Sequence, residues 1–176
     1  MNFADEISIR ILAVMAEELG KELYQREIAK LAGISIGATS QRLRQLSENG
    51  MVSFRKSGKM LFYRYNLQDP VAKQFKILLN INAVHGLVGQ LRSQAKRVIL
   101  FGSCAEGTNV KGSDIDLLIL SEEAKKVREI ASKYSEKLSR KVSPVIVTAN
   151  EFRQLRSKDR PLYERAIKGI VLWESQ

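Results

Sequence analysis

The chain has 176 residues, of which 44% are hydrophobic and 27% are charged, a composition typical of an ordinary globular protein. No apolar run approaches the length of a membrane span, and the N-terminal residues lack the basic-then-apolar order of a signal peptide. The single cysteine, Cys104, excludes an internal disulfide framework and fits a reducing compartment. We therefore expect a cytoplasmic protein that does not associate with membranes.

Positive charge is the strongest bias of the composition, because 29 lysines and arginines against 19 acidic residues give a formal net charge of +10. The excess is concentrated between residues 20 and 66, where nine basic residues against three acidic ones give a local charge of +6. Such an excess favours anionic partners such as DNA, RNA or nucleotides. A lysine-rich surface without such a partner is the alternative.

The first third of the chain has the pattern of three helices followed by a hairpin. Helical spacing of apolar residues and alternating runs predict helices over 3–19, 24–32 and 35–49 and strands over 51–55 and 60–65. Gly20 is a plausible C-cap of the first helix and Ser35 a good N-cap of the third. Three helices with a glycine-containing turn before the third, followed by a hairpin, predict a winged helix-turn-helix.

This segment resembles the winged helix-turn-helix of small prokaryotic regulators. The resemblance is carried by the run EIAKLAGIS over residues 27–35, by the wing, and by Thr39, Leu43, Leu46 and Gly50. It implies that the domain binds double-stranded DNA, as a homodimer by analogy with regulators that match palindromic sites. The alternative is a winged helix that serves only as a protein-interaction or dimerisation module.

A projection of the third helix at 100° per residue separates an inner from an outer side. The inner residues are predicted to be Ile36, Thr39, Leu43 and Leu46. Small residues on the outer side let a helix enter a major groove, glutamine and arginine can read base edges, and wing cations suit phosphates. The predicted DNA-binding residues are Gly37, Ala38, Ser40, Gln41, Arg42, Arg44, Gln45, Arg55, Lys56 and Lys59.

A long helix over 69–93 is predicted next, with Asp69 as N-cap and Pro70 at the first helical position. Its many apolar residues suggest that it packs against both domains or against a second copy of the chain. The only histidine, His85, lies on this helix without a second ligand nearby, and we interpret it as structural.

Two apolar runs in the second half frame the residues that carry chemistry. The run over 98–101 ends at Gly102 and Ser103, and the run over 115–120 opens with Asp114 and Asp116. Positions i and i+2 of a strand point to one face, so the two aspartates can hold one divalent cation, or two about 4 Å apart. Gly102 and Ser103 can offer N–H groups and a hydroxyl to a phosphate. A plain turn before a strand with a polar start is the alternative.

The order Gly-Ser, three residues, Gly, a loop, then Ser-Asp-x-Asp-Leu is similar to the motif of the nucleotidyltransferase superfamily of DNA polymerase β, especially its minimal prokaryotic members. The matching residues are Gly102, Ser103, Gly107, Ser113, Asp114, Asp116 and Leu117. The resemblance implies that Gly102, Ser103, Gly107 and Ser113 bind a nucleoside triphosphate, with ATP the expected one. It also implies that Asp114 and Asp116 coordinate Mg²⁺ as catalytic carboxylates, and that a small helical partner protein is possible.

The remaining pattern places strands over 97–101, 115–120, 142–148 and 170–173 and helices over 122–138, 149–157 and 161–168. The expected fold class is α/β (α+β). The expected domains are a winged helix-turn-helix over 1–66, a linking helix over 67–95, and a nucleotidyltransferase-like mixed sheet with flanking helices over 96–176.

One departure from the family pattern bears on function. Active members usually carry a third carboxylate on a later strand, which would fall near Ser143 or Val145, and neither residue is acidic. Glu151 lies near the start of the next helix, where its negative charge interacts favourably with the helix dipole. Of the functions that fit this pattern, the one that we expect is a DNA-binding regulator whose second domain binds Mg-NTP. The alternatives are an active nucleotidyltransferase that transfers a nucleoside monophosphate to a protein, RNA or small-molecule hydroxyl, and a degenerate antitoxin-like scaffold.

Overall fold

The computed structural model describes residues 5–138 and 140–175 and divides into two compact units, with the boundary between Lys76 and Ile77. Phe3, which opens the first predicted helix, lies outside the described residues. Within the described part of the chain, no helix combines the length and the apolar character needed to span a membrane.

The first unit consists of three helices and a three-stranded antiparallel sheet with the strand order β1-β3-β2. Its elements are α1 (Glu6–Glu17), β1 (Leu23–Tyr24), α2 (Gln25–Ala32), α3 (Ile36–Glu48), β2 (Val52–Ser57) and β3 (Met60–Tyr65). The short strand β1 was not predicted. Strand β2 runs to Ser57, so Lys56 lies in the strand rather than in the turn, and the hairpin is closed by Gly58 and Lys59 alone. Gly58 has a φ of +59°, which a two-residue hairpin turn requires.

The apolar faces of these helices form the core of the first unit, which buries the large side chains Ile11, Leu12, Met15, Ile28, Leu43, Leu46 and Met51 almost completely. The Asp5 and Ser35 side chains cap α1 and α3. The prediction that Ile36 faces inward is wrong, because its side chain is 50% exposed. Side chains tilt toward the N-terminus of a helix, so the first residue of α3 projects beyond the end of the apolar stripe.

The second unit is built around a four-stranded mixed sheet with the order β6-β5-β4-β7, in which β5 and β6 are parallel and the other pairs antiparallel. Its elements are β4 (Arg97–Phe101), α5 (Ser103–Glu106), β5 (Ile115–Leu120), α6 (Ala124–Leu138), β6 (Val142–Val147), α7 (Ala149–Lys158), α8 (Arg160–Ile167) and β7 (Ile170–Glu174). Helix α4 (Pro70–Leu91) crosses the boundary between the units.

Both faces of this sheet are covered. Successive side chains of a strand point to opposite faces, and here both sets of positions carry apolar residues that must be buried. Ile115, Leu117 and Ile119 of β5 pack with α4 and α6 on one face. Leu118 packs on the opposite face with Val145 of β6 and with side chains of α7 and α8. Residues 114 and 116 share the parity of Leu118, so the aspartates belong to the face that α7 and α8 cover.

Candidate functional site

The register of the sheet brings three chain segments together at one end of β5. Asp116 is paired with Phe101 on the β4 side and with Ser143 on the β6 side. The next residues on the same face, Leu118 and Val145, are paired with each other and packed in the core. The acidic pair therefore lies where the apolar layer between sheet and helices ends, which is a place that a ligand can reach.

Gly102 follows β4 and lies directly against the Asp116 carboxylate. Its φ of +67° falls in a region that side-chain-bearing residues rarely adopt. A Cβ atom built on Gly102 would lie 2.7 Å from Asp116 Oδ2, closer than any real contact of this kind. Only glycine allows the turn and the carboxylate to approach this closely.

Asp114 is held by two donors that converge on the same oxygen. Lys141 Nζ lies 2.9 Å from Asp114 Oδ2, and the Ser143 hydroxyl donates to that oxygen at 2.8 Å. The hydrogen bonds from Lys141 and Ser143, together with the Lys141 and Arg140 charges, outweigh burial and lower the pKa of Asp114. Asp114 is therefore an anion with a counter-charge of its own.

Asp116 has the opposite electrostatics. Burial and the neighbouring Asp114 charge raise its pKa, although the Arg165 and Lys141 charges oppose the rise. The Arg165 guanidinium lies over the Phe101 ring, 5.8 Å from its centroid, and so approaches the site from α8. Among the described residues, no side chain or backbone N–H donates a hydrogen bond to the Asp116 carboxylate.

These features fit a divalent cation. Two carboxylates whose charges interact would both be stabilised by a cation between them, and hard divalent cations prefer such oxygens. The absence of a side chain at Gly102 allows the turn after β4 to lie against the Asp116 carboxylate. Within the described chain, no cluster of three or more His, Cys, Asp or Glu residues could hold a metal ion, so a cation here would have at most these two carboxylates as protein ligands of that kind.

The position that the family pattern gives to a third carboxylate is occupied by Ser143, directly beside Asp116 in the register. Val145 packs in the core, and Glu151 forms a capping box with Thr148 at the start of α7, so neither belongs to the site. Lys141 and Arg165 were not predicted as site residues. Lys141 lies two residues before Ser143, so the spacing alone indicates that both side chains point to the same face of the sheet. The approach of Arg165 depends instead on how α8 packs on the sheet, which the sequence pattern does not indicate.

The loop between α5 and β5 is fixed by a buried polar network. Arg140 donates to the Ser113 carbonyl oxygen at 2.7 Å and to Cys104 Sγ at 2.9 Å, and Asn80 donates to the Cys104 carbonyl oxygen and to Asn109 Oδ1. Cys104 is buried within this network. The other two predicted nucleotide ligands have local contacts: Gly107 ends α5 in the left-handed conformation, and the Ser113 hydroxyl accepts from the Val110 N–H.

In the first unit, the outer side of α3 and the wing enclose an open groove of about 740 Å³. Its lining residues are Gly37, Ser40, Gln41, Arg44, Ser47, Glu48, Phe54, Leu61 and Tyr63. Four of the predicted DNA-binding residues therefore share one concave surface, which also carries the exposed Phe54 ring.

Several of the other residues predicted to contact DNA are half-buried or are bonded to other side chains of the protein. Arg42 is half-buried, with its Nε 3.1 Å from Asp5 Oδ1, and it also donates to the Gln45 side chain. Ala38 and Gln45 are likewise half-buried. On the wing, Arg55 donates through two nitrogens to Glu22, whereas Lys56 and Lys59 form no ion pair with any described residue.

Comparison with known proteins follows the same division of the chain. Residues 85–168 match the family described as a nucleotidyltransferase domain, and residues 5–53 match the one described as a winged helix-turn-helix DNA-binding domain. A protein of Methanocaldococcus jannaschii named "Putative protein adenylyltransferase" is 44% identical over 62 residues, which cover 32% of this chain and 63% of that protein. The chain thus spans less than two thirds of that relative.

Two solved structures are similar to part of the chain. A toxin-antitoxin complex with AMP-PNP is 28% identical, with a TM-score of 0.41, over 55% of this chain and 75% of that chain. The antimony-specific transcriptional repressor AntR is 20% identical, with a TM-score of 0.39, over 52% of this chain and 75% of that chain. The predicted fold class is confirmed: the chain combines an N-terminal winged helix-turn-helix with a C-terminal α/β unit that has the nucleotidyltransferase fold.

Proposed function

We propose that this protein is a DNA-binding transcriptional regulator whose nucleotidyltransferase domain binds a complex of Mg²⁺ and a nucleoside triphosphate, with ATP as the nucleotide. The observation that carries the proposal is the interacting pair Asp114 and Asp116, of which Asp116 lies against the Gly102 turn. A basic winged helix in the same chain supports a nucleic-acid partner.

In this proposal the two aspartates hold the cation, which neutralises negative charge on the phosphates. Gly102 allows the turn that follows β4 to lie close to Asp116, and the Ser103 hydroxyl is available to a phosphate oxygen. Gly107 and Ser113 act by shaping the loop that follows, through the cap and the turn that they form. Arg140 fixes this loop by donating a hydrogen bond to the Ser113 carbonyl oxygen.

Binding is favoured over transfer because no third carboxylate of the described residues lies beside the acidic pair. The position next to Asp116 holds Ser143, whose hydroxyl donates to Asp114. A neutral hydroxyl is a poor general base near neutral pH, unlike a carboxylate. An acceptor hydroxyl would therefore not be activated by a side chain at this position.

Transfer of a nucleoside monophosphate remains the second candidate, and the protein named as an adenylyltransferase favours it. The test is to incubate the protein with Mg²⁺, each nucleoside triphosphate labelled at the α-phosphate, and cell extract, with Asp116→Asn as the control. We expect no labelled product above that control. A labelled protein, RNA or small molecule that requires Asp116 would establish the enzyme instead.

Nucleotide binding is tested by titrating MgATP into the purified protein in a calorimeter. We expect saturable binding that the double variant Asp114→Asn, Asp116→Asn loses. The matched control is Glu122→Gln, Glu123→Gln, which removes the same two charges from an exposed position of the second unit. Equal binding by the wild type and the aspartate variant would show that the acidic pair is not the site.

DNA binding is tested by measuring affinity for genomic fragments over a series of salt concentrations. We expect affinity to fall with salt and to fall further in Arg44→Ala and Lys56→Ala, because each removes a cation from the groove or the wing. Lys73→Ala removes an exposed lysine of α4 and is the control. Equal affinity of all three variants would leave the winged helix as an interaction module for a second copy or a small helical partner.

A further inference from the structure

The side chain of Lys141 occupies the position where a cation would reach Asp114. Its ammonium nitrogen lies 2.9 Å from Asp114 Oδ2, the same oxygen that accepts the Ser143 hydroxyl. A cation that binds this oxygen would therefore compete with the ammonium group. Asp116, by contrast, has no such donor among the residues that the structure describes.

The ion pair between Lys141 and Asp114 is easily separated. The Lys141 side chain is 72% exposed and lies at the start of β6, where its four-carbon stem can move without disturbing the core. Exposed ion pairs contribute little to stability, because water and salt screen them. The separated ammonium group would still lie beside the acidic pair, next to the place where phosphates bind in the proposed function.

We propose that Lys141 is a counter-ion that exchanges partners: it neutralises Asp114 in the free protein and binds a phosphate oxygen of the cation–triphosphate complex. This inference rests on the proposed nucleotide site. Lysine suits the role, because its ammonium group is a point charge on a flexible stem that can bind either a carboxylate or a phosphate. The exchange makes the site disfavour a divalent cation alone and favour a cation that arrives together with a triphosphate.

The exchange predicts effects of opposite sign on the affinity for a divalent cation alone and on the affinity for MgATP. In Lys141→Met, Asp114 loses its competing cation, so Mn²⁺ alone should bind about threefold to fivefold more tightly than to the wild type. The same variant lacks the phosphate contact, so MgATP should bind about tenfold more weakly. Lys141→Arg keeps the charge and should restore both affinities toward those of the wild type.

The experiment measures Mn²⁺ binding without nucleotide by electron paramagnetic resonance and MgATP binding by calorimetry. Lys137→Met, which removes an exposed lysine of α6, is the control and should change neither affinity. Thermal unfolding checks that each variant is folded, and Lys141→Gln replaces the methionine variant if that one is not. Opposite shifts support the exchange.

Shifts of the two affinities in the same direction, or no shift in either, overturn the exchange while leaving the nucleotide site intact. A wild-type protein that binds neither Mn²⁺ nor MgATP overturns the exchange and the proposed function together. The two failures are therefore distinguishable from the wild-type titrations alone.

Discussion

Asp114 and Asp116 are the same residue type two positions apart, yet their surroundings shift their pKa values in opposite directions. Hydrogen bonds from Lys141 and Ser143 lower the pKa of Asp114, whereas burial and the Asp114 charge raise that of Asp116. The first carboxylate thus forms an ion pair in the free protein, whereas the second forms none with any described residue and is only influenced by the more distant Arg165 and Lys141 charges. A cation at this site would offset the cost of ionising the partly buried Asp116 beside Asp114. At Asp114 it would compete with the existing contact to Lys141.

The first prediction concerns Gly102, whose positive φ and contact with Asp116 both exclude a side chain. Gly102→Ala should weaken MgATP binding at least about tenfold and lower the free energy of unfolding by about 1–3 kcal/mol, because the turn and the carboxylate must move apart. Calorimetric titration and urea unfolding measure the two effects.

The matched control is Gly89→Ala. Gly89 lies inside α4, and a Cβ there would meet no atom within 4 Å. This substitution should raise the free energy of unfolding by about 0.5–1 kcal/mol and leave MgATP binding unchanged, because alanine favours a helix interior. If both alanine variants bind MgATP as the wild type does, the close approach at Gly102 has no role in binding.

The second prediction concerns the pH dependence of the cap at Asp5. Burial of Asp5 raises its pKa, but the hydrogen bonds from Ser8 and the Arg42 charge outweigh burial and lower the pKa below the ordinary value of 3.8. A carboxyl with a lowered pKa in the folded state stabilises above its unfolded pKa and loses that contribution as the pH falls through the folded value. The stabilising contribution of Asp5 should therefore be complete at neutral pH and disappear below pH 3.8.

Asp5→Ala should lower the free energy of unfolding by about 1 kcal/mol at pH 7, the usual effect of removing a helix cap, and by much less in strong acid. Urea unfolding at a series of pH values measures the difference between wild type and variant. Asp5→Asn keeps the cap without the charge and should show a smaller loss. A difference that does not change with pH would exclude a contribution from the ionised carboxyl.

At the scale of elements, the wing shows what the local pattern can and cannot predict. Alternation in β2 and β3 predicts a basic hairpin, but it cannot show that Arg55 is paired with Glu22, a residue 33 positions earlier in the chain. Arg64 lies 3.7 Å from the same carboxylate. Part of the positive charge that suggests DNA binding is therefore neutralised within the unit itself.

The third prediction follows from this pairing. Glu22→Gln should release Arg55 and Arg64 for phosphate contacts, so DNA affinity should rise and the slope of log affinity against log salt should steepen by about 0.9 for each added phosphate contact. Glu17→Gln, which removes an exposed carboxylate of α1, controls for net charge and should change affinity less. Equal effects of the two variants would mean that long-range charge alone governs affinity.

The elements of the second unit were largely predictable, because each apolar run is bounded by a clear turn or cap. The strands over 97–101 and 115–120 match β4 and β5 residue for residue, and the next predicted strand exceeds β6 by one residue. The neighbours of the acidic pair were less predictable. Ser143 and Lys141 reach Asp114 because β6 pairs with β5 in one register, and Arg165 approaches Asp116 from α8. Both arrangements are set by packing between distant segments.

At the scale of the whole molecule, α4 is the element that both units share. Its first part buries Ala72 and Lys76, and its second part buries Leu87 and Leu91 in the core beneath the sheet. The boundary between the units falls between Lys76 and Ile77, in the middle of this continuous helix. Unfolding either unit therefore leaves part of α4 without the core that stabilises it.

The last prediction tests whether this shared helix joins the units into one cooperative structure. Calorimetry should show a single unfolding transition for the wild type, and MgATP at about a hundred times its Kd should stabilise the whole protein by about 2.7 kcal/mol. Leu78 lies beside the boundary and is 58% exposed, so Leu78→Ala should keep this behaviour. Leu78→Pro removes a backbone hydrogen bond of the helix and should divide unfolding into two transitions, of which MgATP shifts one. Two wild-type transitions that respond independently to MgATP would show instead that each unit folds without help from the other part of α4.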